Sequence, residues 1–167
     1  AVVLRAAAAL ERSSEHPLAA AIIEAVRERG FDVPQAESFE SLTGRGVRGT
    51  VEGRMAAVGN VKLMQEIGAD PGSMMEKASQ IREQGQTAIF VAVKGQVAGL
   101  IGIADPIKAS AADAVRLLHA EGVRIVMLTG DNRTTAETVA RQLGIDDVRA
   151  DVLPAGKSKA VEAFQVE

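Results

Sequence analysis

The apolar positions of this chain change their period twice. Over residues 4–11, Leu4, Ala7, Ala8 and Leu10 recur at helical spacing, and the pattern stops where His16 precedes Pro17, because the residue before a proline is pushed out of the α region. Pro17 suits the first turn of a second helix, whose stripe of Leu18, Ala21, Ile22, Ala25 and Val26 ends at Gly30. From Glu37 to Gly59 the period falls to two, with Val47, Gly49 and Val51 on one face and Arg48, Thr50 and Glu52 on the other. Glu52-Gly53 then predicts the tight turn of an antiparallel hairpin between Val47–Val51 and Met55–Val58. Weaker helical patterns cover residues 61–67 and 72–84, and Thr87 to Val93 and Gln96 to Ile103 predict a second hairpin around Lys94-Gly95 in the same sheet.

Asp105-Pro106 interrupts this arrangement, and the rhythm beyond it is different. A helix over 109–121, a strand over 123–128, a helix over 134–143, a short strand near 148–152 and a helix after Pro154 alternate as in an α/β fold with parallel strands. A chain of 167 residues has room for one good core or two modest lobes. The expected division is residues 1–104, an α+β domain with an antiparallel sheet and flanking helices, and residues 105–167, an incomplete α/β lobe. No repeat or low-complexity tract is present.

Composition narrows the function classes. The net charge of −3 with scattered Lys and Arg offers no field for a nucleic-acid backbone. The aromatics are four Phe, and Phe31, Phe39, Phe90 and Phe164 each sit among apolar neighbours, which predicts core placement and no base-stacking platform. Without cysteine there is no disulfide framework, thiolate metal site or thiol nucleophile. The longest apolar stretches fall well short of the roughly 20 residues of a membrane helix, so no direct membrane contact is expected. The start, Ala1-Val2-Val3-Leu4-Arg5, carries neither an initiator Met nor a signal sequence and reads as a cut end.

Three constellations could carry chemistry. The first is Glu11 with Ser14-Glu15-His16-Pro17, where one helix gives way to the next. A carboxylate and a flat imidazole facing one pocket would accept from an adenine amino group and lie against its ring; the plainer reading has His16 as a helix cap and Glu11 in solvent. The second is Gly44-Arg45-Gly46-Val47-Arg48-Gly49, formally GxGxxG. A dinucleotide fingerprint needs a helix after it, and an alternating strand follows instead. What remains is either a loop whose backbone N–H groups approach a ligand or a simple turn into a strand. The third, Met127-Leu128-Thr129-Gly130-Asp131-Asn132, is a strand end running through a tight loop into a helix, a position where ligands and phosphate bind in α/β sheets, with Asp131 or Asn132 as a cap in the structural alternative. His119 is expected to be a solvent-facing residue near a helix C-terminus.

Taken in order, these motifs resemble the nucleotide-binding domain of heavy-metal P-type ATPases. Ser14-Glu15-His16-Pro17 with Glu11 five residues before the histidine is similar to that family's signature, and Gly44, Gly46, Gly59 and Asn60 match its GxG and later Gly-Asn pair. The resemblance implies that Glu11 and His16 hold adenine, with the glycines and Asn60 beside the nucleotide. Asp105-Pro106 resembles the hinge to the phosphorylation domain, which looks like a haloacid-dehalogenase fold. There, Thr129 and Gly130 of Thr-Gly-Asp-Asn would contact the transferred phosphoryl and Asp131 would organise the loop. Leu153-Pro154 followed by Lys157 resembles the stretch carrying a phosphate-facing lysine, although Gly156 stands where the family usually has an acid.

The phosphorylated Asp-Lys-Thr-Gly-Thr motif and the later Gly-Asp-Gly-x-Asn-Asp motif of that family are absent from the chain. Phosphoryl transfer rests on positioning and charge neutralisation, so the chain by itself is expected to bind ATP without turning it over. Mg²⁺ would be held chiefly by residues elsewhere in the parent. The resemblance implies a cytoplasmic domain of an integral membrane pump, working with actuator and transmembrane domains of the same protein, and it leans towards a copper exporter over a zinc or cadmium one. A freestanding phosphatase would need a nucleophilic Asp-x-Asp, which is missing; a non-catalytic regulatory module is the alternative of another class.

Overall fold

The computed structural model describes residues 1–14, 18–104 and 106–164. They group into two compact units, one made of residues 1–78 and 88–103 and the other of residues 79–87 and 104 onward.

In the first unit, α1 (Val2–Glu11) and α2 (Leu18–Glu28) pack together. A five-stranded sheet follows in the order β1 (Ala36–Leu42), β2 (Gly46–Val51), β3 (Arg54–Gly59), β4 (Thr87–Val93) and β5 (Gln96–Ile103). The pairs β1–β2, β2–β3 and β3–β4 are antiparallel. Glu52 (φ 50°) and Gly53 (φ 71°) turn the first hairpin, and Lys94 (φ 54°) and Gly95 (φ 75°) the second. Positive φ at both central residues gives the turn whose twist matches the flanking strands.

β2 shows the expected alternation, with Val47, Gly49 and Val51 buried and the residues between them half-exposed. Those buried positions join Ala56, Val58, Ile89 and Val91 beneath α1 and α2. The helix that meets them is slim, because most of its buried residues are alanine. Ala6 to Ala9 are buried in succession, and α1 rests on glycines, since a Cβ on Gly99 would lie 3.0 Å from Val3 and one on Gly49 would lie 2.9 Å from Leu10. α1 therefore crosses the sheet from β5 to β2. Leu10, Ile22 and Val26 are fully buried here, each burial being worth about 1.5–3 kcal/mol. By strand alternation, Ala57, Phe90 and Ala92 face the other side. There α3 (Val61–Glu66) packs on β3 with Leu63 and Met64 buried. α4 (Met74–Glu83) buries Ala78.

The second unit holds α5 (Ala109–Ala120), β6 (Val126–Leu128), α6 (Arg133–Leu143), β7 (Asp147–Arg149) and α7 (Pro154–Phe164). β6 and β7 pair in parallel, Val126 opposite Asp147 and Leu128 opposite Arg149. α6 is well delimited: Asn132 caps its start through the Thr134 N–H, and Gly144 (φ 72°) ends it in the left-handed conformation that favours glycine.

Two expectations need correction. Both parallel strands are only three residues long: the Val123 N–H turns back to the Leu118 carbonyl at the end of α5 and that of Ile125 to the Asp146 carboxylate, while the N–H groups of Asp151 and Val152 go to the carbonyls of Asp131 and Thr129. Of the four Phe, only Phe90 is fully buried; Phe31 and Phe39 pack half-buried against the core, and Phe164 lies under the Arg149 guanidinium, 5.5 Å from its ring centre. Among the described residues no helix is long and apolar enough to cross a membrane.

Candidate functional site

Glu11 closes the last turn of α1 and is only 7% exposed. A carboxylate at a helix C-terminus faces the negative end of the backbone dipole, and burial adds a desolvation cost. The Leu10–Gly49 contact sets this end of α1 on β2, three residues along the strand from Gly46, or about 10 Å. Glu15, His16 and Pro17 lie outside the described residues.

The Gly44–Gly46 loop stands at the head of β2. Gly44 (φ 69°) and Gly46 (φ 142°) both take conformations that L side chains avoid. Gly46 lies opposite Gly59 across the β2–β3 pair. A Cβ at Gly46 would fall 2.1 Å from the Val58 carbonyl oxygen, and one at Gly59 2.2 Å from that of Arg45. Asn60 joins the loop to α3. Its Nδ2 donates to the Gly44 carbonyl at 2.8 Å, its backbone N–H donates to the Arg45 carbonyl at 2.9 Å, and its Oδ1 accepts from the N–H groups of Lys62 and Leu63. Arg45 also pairs with Glu66 at the far end of α3. The structure thus brings Gly44, Gly46, Gly59 and Asn60 together.

In the second unit, Thr129, Gly130 and Asp131 form a closed loop between β6 and α6. The Thr129 hydroxyl donates to the Asp131 carboxylate at 2.8 Å and accepts from the Asp131 N–H at 3.1 Å. The backbone is tied to the β7–α7 connection, with the Thr129 carbonyl accepting from Val152 and the Asp131 carbonyl from Asp151, each near 3 Å. Asp151 itself takes φ 57°, a strained value for a non-glycine. Gly130 differs from Gly46: its φ is not left-handed, and a Cβ would sit at an ordinary 3.4 Å from the Val152 carbonyl. The fold does not demand a glycine there, so its small size is available to a ligand.

Lys157 is exposed on the first turns of α7. Its link to the Thr129 loop runs through Val152, which bonds the loop and whose side chain faces Gly156. Pro106 of the expected hinge lines a cleft of about 210 Å³ with Gln84, Gln86, Ile107, Val139 and Gln142, while Asp105 lies outside the described residues.

Two tertiary polar links escaped the sequence reading. Thr135, buried on α6, donates its hydroxyl to the Gln86 carbonyl at 3.0 Å. His119 is not simply solvent-facing: its Nε2 lies 2.9 Å from Asp146 Oδ2, which also accepts from the Ile125 N–H at 2.8 Å. The Ile125 N–H, then the imidazole, hold the Asp146 carboxyl below the usual carboxylate range. These partners are 27 and 21 residues apart, and no local pattern encodes them. Among the described residues no three acids or histidines gather to hold a metal ion.

The family model of haloacid dehalogenase-like hydrolases matches residues 1–167. A copper-transporting P-type ATPase of Rhizobium leguminosarum bv. viciae is 47% identical over 163 residues, covering 98% of this chain and 19% of that protein. A silver-exporting P-type ATPase of Salmonella typhimurium is 45% identical, covering 95% of this chain and 19% of its own length. A copper-exporting P-type ATPase of Legionella pneumophila is 47% identical, with coverage of 97% and 22%. The chain therefore spans about a fifth of the length of the curated relatives it matches. Among solved structures, a zinc-transporting PIB-type ATPase in the E2·Pi state is 32% identical with a TM-score of 0.62, covering 98% of this chain and 26% of that one. The catalytic domain of the CPx-ATPase CopB-B shares the fold, with a TM-score of 0.69 at 22% identity and coverage of 98% and 56%.

Proposed function

The chain belongs to the haloacid dehalogenase-like hydrolase family, and from that premise we propose that it is the nucleotide-binding domain, with part of the phosphorylation domain, of an ATP-driven heavy-metal pump. Residues 1–104 bind adenine nucleotide; residues 105–167 supply one side of the phosphoryl site, with Asp105-Pro106 as the hinge. The observation that carries this reading is the buried Glu11 carboxylate at the helix end where the backbone dipole opposes it, next to Leu10, which meets β2 at Gly49, three residues along that strand from the glycine loop. Glu11 accepts from the adenine amino group and His16 lies against the ring. The loop at Gly44 lets backbone approach the nucleotide.

In the parent protein the γ-phosphoryl is presented to an aspartate that this sequence lacks. Thr129 and Gly130 meet the phosphoryl group, Asp131 keeps the Thr129 hydroxyl in place, and Lys157 offers charge from α7. Mg²⁺ supplies charge neutralisation when bound, through ligands outside this chain. The domain works on the cytoplasmic side of a membrane pump, beside actuator and transmembrane domains of the same protein. The metal is copper: relatives named for copper and silver export match this chain more closely than the zinc transporter. That zinc structure supports zinc as the second reading.

The test is a titration of the chain with ATP, ADP, AMP and GTP followed by amide NMR. Weak, adenine-selective binding near millimolar, about −4 to −6 kcal/mol, with shifts at Glu11, Gly44, Gly46 and Gly59 and a loss in His16→Ala, is the expected result. No shift at millimolar adenine nucleotide would replace this reading with a non-catalytic regulatory module.

A further inference from the structure

The four residues grouped at the glycine loop do not share one job. Gly46 and Gly59 oppose one another across β2 and β3, and a Cβ at either would fall inside backbone, 2.1 Å from the Val58 oxygen and 2.2 Å from the Arg45 oxygen. No side-chain rotation relieves such a contact, so both glycines are required by the chain's own packing whether or not a ligand is present. Leu63, held on α3, lies over the pair, its Cδ2 3.0 Å and 2.7 Å from the two built Cβ positions.

Asn60 is committed in the same way. A carboxamide has two donor hydrogens and an oxygen with two lone pairs. Here the oxygen accepts from Lys62 and Leu63 and one hydrogen goes to the Gly44 carbonyl, which uses three of those four places. The backbone N–H of Asn60 takes the Arg45 carbonyl. One residue thus caps α3 and pins the carbonyls of Gly44 and Arg45, while the loop's own entry is fixed by the Arg45 N–H on the Leu42 carbonyl.

We propose that Gly46, Gly59 and Asn60 are positioning residues that hold the Gly44–Arg45–Gly46 loop in its nucleotide-binding shape. This rests on the nucleotide-binding reading above and assigns Asn60 a different role within it: the carboxamide acts through the Gly44 peptide.

The side-chain resonances of Asn60 test this directly. In the wild-type chain titrated with ATP, the Gly44 amide shifts while the Asn60 Nδ2 group, one hydrogen of which is already bound to the Gly44 carbonyl, moves far less. In Asn60→Ser, a neutral residue that still caps α3, the amides of Gly44 and Arg45 shift and exchange faster before any nucleotide is added. ATP and AMP then both bind more weakly, by about three- to tenfold, the worth of one net hydrogen bond. If ATP moves the Asn60 side-chain resonances as far as the Gly44 amide, or if Asn60→Ser leaves the nucleotide-free loop unchanged, the positioning role is overturned while nucleotide binding stands. If no unit 1 amide of the wild-type chain responds to ATP, nucleotide binding fails and this role fails with it.

Discussion

Leu10 fills the space above Gly49: a Cβ on that glycine would come within 2.9 Å of Leu10 Cδ2 and 3.0 Å of the Glu37 carbonyl oxygen. The need for a glycine comes from both sides of the strand pair. Glu37 pairs with Thr50 and Glu40 with Arg48, so Ser38 and Phe39 together oppose Gly49 in a bulge, with Ser38 at φ 53°. Gly49→Ala should therefore destabilise the first unit by roughly 1–3 kcal/mol, the usual cost of overpacking. Urea unfolding followed at β2 amides would measure it, and a change below about 0.5 kcal/mol would mean that Leu10 or the bulge yields easily. Because Leu10 precedes Glu11, the same variant should also shift the Glu11 amide.

Glu11→Gln separates the chemistry of that buried carboxylate from its shape. The amide is nearly isosteric, so the folded spectrum should persist, while the charged acceptor for an adenine amino group is lost. A hydrogen bond to a charged group is worth about 1.5–3 kcal/mol, so ATP and AMP should bind roughly 10- to 100-fold more weakly, with GTP little changed. Equal losses for adenine and guanine nucleotides would show that Glu11 does not read the base.

How much of this could be read in the chain follows from how local each signal is. The hairpins at Glu52-Gly53 and Lys94-Gly95 announce themselves, because alternation and a glycine beside the turn act over a few residues. The short β6 and β7 do not: apolar runs look the same whether their backbones pair with a strand or a loop. Gly46 and Gly59 were recognisable only as glycines near a possible ligand, since their mutual contact needs the β2–β3 register. Asn60 hides two functions in one carboxamide, one local on α3 and one reaching back 16 residues to Gly44. Glu11 was visible as an acid, but its burial depends on the sheet that α1 crosses.

The His119–Asp146 link makes a pH prediction with a definite sign. The Ile125 N–H, and after it His119, lower the Asp146 carboxyl in the folded state. A depressed carboxyl contributes stability that is present above its unfolded value, about 3.9, and lost as pH falls through the folded one. The second unit should thus weaken in acid below about pH 4, and Asp146→Asn should remove that part of the dependence. Following the Asp146 carboxyl by NMR, His119→Ala should raise its midpoint while the Ile125 bond still keeps it below the usual range. An unchanged midpoint would mean that the imidazole contributes nothing.

Gly156 sits in the third helical position of α7, where the fold has no use for a glycine. Its Cβ would meet only Val152 Cγ1 at an ordinary 3.4 Å, and its φ is not left-handed. A glycine inside a helix costs about 0.5–1 kcal/mol relative to alanine, so Gly156→Ala should stabilise the second unit by roughly that amount. α7 also lacks an acid in its first turn and buries no residue fully, so its stability leans on local terms. Gly156→Asp would place a carboxylate near the positive end of the helix, adding about 0.3–1 kcal/mol from the dipole against a poorer intrinsic propensity than alanine. Hydrogen exchange of the α7 amides distinguishes the cases. Slower exchange in both variants is the expected result, and faster exchange in Gly156→Ala would show that the Val152 contact, which also carries the link to Thr129, is tighter than the backbone geometry allows.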